Sequence, residues 1–253
     1  MKKLFATLLA SIALVATGVR ANESVKLDPA PIDLRDVASL QAGARTFVNY
    51  CLNCHSASMM RYSRLRDIGL TDEQIKDNLL FSADKVGEMM NVAMTKKDGK
   101  DWFGATPPDL SVVARSRGAD WLYTYLRGFY RDPATTTGWN NLAFDRVAMP
   151  HVLWKLQGER VRTEVVLKDA AGKELGDGHG GVRKVVKLET VSPGTLSTVE
   201  YDVLARDLVN FLVWMGEPNQ ILRKQVGFWV LVVLGVLILL TWMLKKEYWK
   251  DVH

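Results

Sequence analysis

The sequence predicts a mainly α-helical domain of about 200 residues, with one small β-hairpin and a single C-terminal membrane-crossing helix. Three observations predict it. Apolar residues recur at helical spacing in separate stretches, first at Leu40, Ala44, Phe47 and Val48, and later at Tyr201, Leu204, Leu208, Phe211, Leu212 and Met215. Strand-like alternation is confined to 161–191. Val226 to Leu244 is an uncharged apolar run of 19 residues, long enough to cross a bilayer with little tilt.

The ends of the chain frame the domain. Lys2 and Lys3 precede an apolar segment from Leu4 to Val19, and Val19-Arg20-Ala21 ends in a small residue. This is the pattern of a cleaved secretory signal, which places the signal at 1–21 and the mature start at Asn22. Residues 22–225 then form the exported domain, 226–244 the membrane span and 245–253 a cytoplasmic tail. Trp229 and Trp242 sit near the two ends of the span, with Tyr248 and Trp249 just beyond, as in an aromatic belt. Basic residues flank both ends, so the signal rather than the loop charges sets the orientation. A buried core helix is the alternative reading of the apolar run.

The net charge of +5 is largely topological, because basic residues of the signal and tail account for it. The exported part is nearly balanced. Bulk charge therefore names no docking partner, and nothing points to nucleic-acid binding.

Taken in order, a helix is expected over Asp36 to Tyr50, and a weaker one over Thr71 to Met94 opening on Thr71-Asp72-Glu73-Gln74. Gly104 to Asp109 reads as a Pro-rich loop, and Asp109 to Arg127 as helix broken near Gly118. Residues 128–160 look irregular, with Pro133, Gly138 and Pro150. The hairpin follows, turning at Gly176 to Gly181. A helix over Glu200 to Met215 ends at Gly216 and Pro218, and a short polar link leads to the span.

The chemistry is concentrated in Cys51-Leu52-Asn53-Cys54-His55, a C-x-x-C-H motif holding both cysteines of the chain. Two thiols at this spacing can bond to the two vinyl groups of one haem, with the adjacent His beneath the ring as an iron ligand. Other readings explain less. A thioredoxin-like pair should follow a strand, and this one follows a helical stretch. A zinc site lacks further Cys or Cys/His ligands, and a plain disulfide leaves His55 without a role. One motif implies one covalently attached haem c. For the sixth ligand, Met59, Met60, Met89, Met90, Met94, Met149, Met215, His151 and His179 are available. Met59 and Met60 lie too near His55, and Met215 falls in an apolar stripe. Met149 leads because Pro150 stiffens the loop beside it, and His151 is next.

Several further segments carry a family resemblance. Phe47-Val48-Asn49-Tyr50 runs into the motif. Pro107-Pro108-Asp109-Leu110-Ser111 is followed by Arg115 and Arg117, and Ala148-Met149-Pro150 comes later. Asp207-Leu208-Val209-Asn210-Phe211-Leu212 and Met215-Gly216-Glu217-Pro218 precede the single anchor. Together these resemble the cytochrome c1 family, the c-type haem subunit of the bacterial cytochrome bc1 complex, over essentially the mature length. The resemblance implies a cytochrome c-like domain with Met149 as the axial ligand opposite His55. It implies haem packing by Pro107 and Pro108, and contacts to the haem propionates from Arg115 and Arg117, above all Arg117. The sequence departs from the family pattern at His151, where many relatives carry another residue type, and His151 is read as a surface or neighbouring residue.

By the same resemblance, the chain is an electron carrier of the respiratory chain. It takes an electron from the Rieske iron–sulfur protein, passes it to cytochrome c, and is held against cytochrome b. It sits in the bacterial inner membrane with the haem domain in the periplasm, and has no independent catalysis. Two alternatives differ in kind. One is a membrane-anchored monohaem cytochrome feeding a terminal oxidase. The other is a catalytic or gas-sensing haem with an open distal position.

Overall fold

The computed structural model describes residues 26–169, 174–176 and 182–251. The expected signal peptide, Asn22, His179 and most of the turn expected at Gly176 to Gly181 lie outside the described residues.

The first helix, α1 (Val37–Thr46), starts where the Asp36 carboxylate accepts from Ser39 N at 3.0 Å. It runs into a single π-turn, Phe47–Cys51, closed by a bond from Leu52 N to Phe47 O at 3.0 Å. Leu40, Gly43, Ala44, Phe47, Val48 and Cys51 form one buried stripe along this rod. After it come a strand, β1 (Ala57–Arg61), a 3₁₀ segment (Tyr62–Ile68), and a helix, α2 (Asp72–Asn78), opened by a Thr71/Gln74 capping box.

The expected helix over Thr71 to Met94 stops at Asn78. Beyond it, Tyr62 N and Ser63 N donate to Glu88 O and Val86 O, and a short strand, β2 (Met89–Met90), pairs antiparallel with β1, Ala57 opposite Met90. Pairing back onto the 57–63 segment outweighs the weak helical preference of 79–94. A helix α3 (Lys96–Phe103) follows, then the Pro-rich loop. The next helix starts at Val113 rather than Asp109, because the Asp109 carboxylate accepts from Ser111 N and Ser58 N at 2.8 Å each and holds a turn. Gly118, at φ +87°, separates α4 (Val113–Arg117) from α5 (Ala119–Arg127).

Residues 128–160 are more ordered than expected. They hold the strands β3 (Phe129–Arg131) and β4 (Trp139–Asn141) and the turn of helix α6 (Trp154–Gln157). The hairpin strands β5 (Gly158–Val166) and β6 (Lys184–Pro193) join them in one sheet of order β4-β3-β5-β6. The β3/β5 step is parallel, with Arg131 opposite Val161.

The long helix α7 (Thr198–Gly216), opened by a Ser197/Glu200 capping box, closes the domain. Its buried face meets α1, with Phe47 and Phe211 ring centroids 5.6 Å apart. At their crossing, a Cβ on Gly43 would lie 2.0 Å from Asp207 O, so only glycine lets the backbones approach this closely. Ser39 Oγ donates to Asp207 Oδ1 at 2.7 Å, and Asn210 Nδ2 donates to Asp33 O at 2.8 Å, tying the same crossing with polar bonds. The last helix, α8 (Gln220–Tyr248), begins six residues before the expected span, right after the Glu217-Pro218-Asn219 link. None of its 29 residues is buried in the domain, so a core helix is excluded.

Candidate functional site

His55 follows the π-turn and is buried. Its Nδ1 lies 2.7 Å from Pro108 O and donates to it, which leaves Nε2 as the free ligating atom. Burial lowers its pKa, opposed by the Pro108 bond and the nearby Asp109 charge, and a neutral imidazole is the form that ligates iron. The Pro-rich loop is clamped against the motif. Leu110 N donates to Ser56 O at 2.8 Å, Met59 N to Ser111 Oγ at 3.0 Å, and Ser58 N to Asp109 Oδ2. The two cysteines are free thiols, and burial pushes that of Cys51 up to about 12.

Two cavities meet at His55. The larger, about 300 Å³, is bordered by Cys51, Leu110, Arg117, Tyr125, Leu208 and Leu212 among others. The smaller, about 90 Å³, has Cys54, Phe103, Pro107 and Pro150 on its walls. His55, Pro108, Ala148 and Met149 line both. The fold thus brings Cys51, Cys54, His55, Pro107, Pro108, Met149 and Arg117 to one slot. Arg117 lies over the Trp121 ring at 5.0 Å and the Phe144 ring at 6.0 Å to their centroids. Arg115 does not line the slot. Its side chain runs past Gly216 at the end of α7.

The other candidate ligands lie elsewhere. Met60, Met90 and Met215 are core residues, and Met59 is 75% exposed. Met94 borders a separate cavity with Cys54 and Thr106. His151 is buried rather than on the surface, stacked on Phe129 at 4.6 Å and edge-on to Trp139 at 5.1 Å. It borders neither slot cavity, and burial pushes its imidazole down to about 3, so it is neutral.

Residues that no motif flagged hold Met149 in place. The buried Asn140 side chain accepts from Asn141 N and Arg146 N at 2.8 Å each. Arg146, three residues before Met149, is at φ +53°, a conformation that a non-glycine residue keeps only when its surroundings impose it. Asn141 Nδ2 donates to Tyr125 O at 2.7 Å, and Asn141 Oδ1 accepts from Ala143 N at 2.8 Å. His151 anchors the loop on its other side. Side chains on β4 and β3 therefore brace the Met149 loop. The Trp139-Asn140-Asn141 run looks like turn polarity in sequence, and only the fold reveals its work.

These residues suit a covalently held haem. Two free thiols border the slot, one imidazole has its second nitrogen already engaged, and a thioether lines the same walls. Residues 30–164 and 187–252 match the Cytochrome C1 family. The chain is 48% identical over 250 residues to a protein of Nitrosomonas europaea named ammonia monooxygenase gamma subunit, covering 99% of this chain and 97% of that one. It is 47% identical over 247 residues to cytochrome c1 of Allochromatium vinosum, covering 97% and 96%. It is 27% identical over 236 residues to the mitochondrial cytochrome c1 haem protein of Schizosaccharomyces pombe, covering 86% and 68%. With a match over most of its length and the family's cofactor chemistry gathered in one slot, the chain belongs to the Cytochrome C1 family.

Proposed function

We propose that this chain carries single electrons through a haem c ligated by His55 and Met149, as the electron-transfer subunit of a cytochrome bc1 complex. The carrying observation is that His55, with Nδ1 committed to Pro108 O, and Met149 line the same two cavities as the two cysteines. When bound, the haem supplies reversible one-electron chemistry at its iron. The residues do the rest. Cys51 and Cys54 fix the ring covalently, and the Pro108 carbonyl orients His55. Met149 favours the ferrous state and so a relatively high potential. Leu110, Leu122, Leu126, Leu208 and Leu212 exclude water from one wall. Arg117, rather than Arg115, offers a guanidinium to the haem propionates.

The chain is membrane-anchored by its apolar C-terminal helix. In our reading, residues 1–21 are a cleaved signal and 22–225 the periplasmic domain. Residues 226–244 cross the bacterial inner membrane, and 245–253 remain cytoplasmic. Cytochrome b is the anchoring neighbour, the Rieske iron–sulfur protein the donor and cytochrome c the acceptor. With His55 and Met149 both ligating, no position stays open for oxygen or another substrate, which disfavours a catalytic or sensing haem. The test is the visible and near-infrared spectrum of the full chain, together with its co-purification. The reading expects the weak near-infrared band of Met–iron ligation, no carbon monoxide binding when reduced, and recovery with cytochrome b. A spectrum without that band, or a chain that purifies free of cytochrome b, overturns it.

A further inference from the structure

We propose that Tyr125 is a positioning residue for the distal ligand, its phenol donating a hydrogen bond to Met149 Sδ that steers the sulfur and raises the haem potential. The observed O–H to Sδ distance is 3.4 Å, and Tyr125 and Met149 both line the larger cavity. The phenol is well held. Its ring stacks on Trp121 at 4.8 Å with planes 14° apart, and meets the edge of Phe129 at 5.0 Å. Its backbone carbonyl accepts from Asn141 Nδ2. Burial raises its pKa, so the hydroxyl keeps its proton and remains a donor.

The chemistry follows from the thioether. Sulfur carries two lone pairs. A donor on one leaves the other for the iron and limits the rotation of the flexible Met side chain. The hydrogen bond withdraws electron density from the sulfur and places the positive end of the O–H dipole beside the iron site. Both effects disfavour the more highly charged oxidised iron. Removing the hydroxyl should therefore lower the potential while leaving ring packing intact.

The inference rests on Met149 being the distal ligand, and the experiment separates the two. Full-length protein in detergent is titrated potentiometrically as wild type, Tyr125→Phe, and Tyr123→Phe as control. Tyr123 is buried on the same helix but lies under the Arg127 guanidinium, outside the slot. Tyr125→Phe should shift the redox equilibrium about threefold to tenfold toward the oxidised form, which is about 30–60 mV lower for one electron. Tyr123→Phe should not. Should Tyr125→Phe fail to accumulate, 3-fluorotyrosine placed at 125, a more acidic donor, should shift the potential upward. A near-infrared Met–iron band in the wild type with no potential shift in either variant refutes the role of Tyr125 alone. Absence of that band in the wild type refutes the ligation and this inference together.

Discussion

Asn140→Ala tests how far the fold, rather than the ligand itself, holds the distal side. The side chain is 3% exposed and makes four hydrogen bonds. Two run from Nδ2 to the Asp132 and Asp145 carboxylates at 2.9 and 3.0 Å. The other two satisfy the backbone N–H groups of Asn141 and Arg146. The lost backbone partners cost about 1–1.5 kcal/mol each, and the carboxylate bonds contribute less because water can replace them. The left-handed backbone of Arg146, about 1–2 kcal/mol above the ordinary regions, is carried by the wild type too and adds nothing to this loss, but without Asn140 nothing imposes it and the loop is free to relax. The expected loss of stability is about 2–4 kcal/mol, within the usual 5–15 kcal/mol of a folded domain.

The assay is guanidinium unfolding of the full-length protein, followed by loss of the Met–iron band. With a slope near 4 kcal/mol per molar, the midpoint should fall by roughly 0.5–1 M. The reduced variant should also bind carbon monoxide, because the loop bearing Met149 opens before the rest of the domain unfolds. Asp145→Ala, which removes an exposed carboxylate, should move the midpoint by less than about 0.2 M. An Asn140→Ala midpoint no lower than that of Asp145→Ala refutes the bracing argument.

Other perturbations probe each part of the site. Met149→Leu should keep the covalent haem, lower the potential and admit carbon monoxide. A variant that still excludes carbon monoxide places the sixth ligand elsewhere. Cys51→Ala or Cys54→Ala should largely abolish stable holoprotein, because no other cysteine can replace either thioether, and normal haem staining on a denaturing gel contradicts this. Truncation before Val226 should release a soluble haem domain with a native spectrum, since nothing in α8 is buried against the domain. That fragment should support little quinol-dependent electron flow in cells. Loss of its spectrum would make α8 part of the cofactor's fold, and full activity would remove the reason for an anchor.

What the sequence makes legible here is what covalent chemistry and periodicity impose. Thioether attachment fixes residue types and spacing, so Cys51, Cys54 and His55 stand out at once. Pro150 flags Met149 because proline leaves a local mark. The α1 and α7 stripes are visible because they repeat every three or four residues. The partners of these groups carry no such mark. Asn140 acts on Arg146 and Tyr125 acts on Met149 through contacts that exist only once β3, β4 and α5 are assembled. Residues 79–94 mislead for the same reason, since their hydrogen bonds go to a segment some twenty-five residues upstream. Alternation marks the hairpin, but not its parallel pairing with β3, because a single Arg131–Val161 register leaves no period to read.

The site is divided between two supports. The proximal half hangs on the α1–α7 crossing, whose closeness depends on Gly43, and on the clamp between 56–59 and 108–111. The distal half hangs on β3 and β4, through Asn140, Asn141 and the buried His151. With His55 and Met149 as the proposed ligands, such an arrangement would suit a carrier, because side chains already locked in place have little to reorganise when the iron charge changes. The family match omits 165–186, the outer part of the β5–β6 hairpin. Its base is tied to β3 by the Arg131–Val161 pair and by the ion pair from Arg131 to Glu159 at 2.5 Å. A change in the outer hairpin would thus be absorbed in β5 and β6, and the loop that bears Met149 keeps its own braces on β3 and β4.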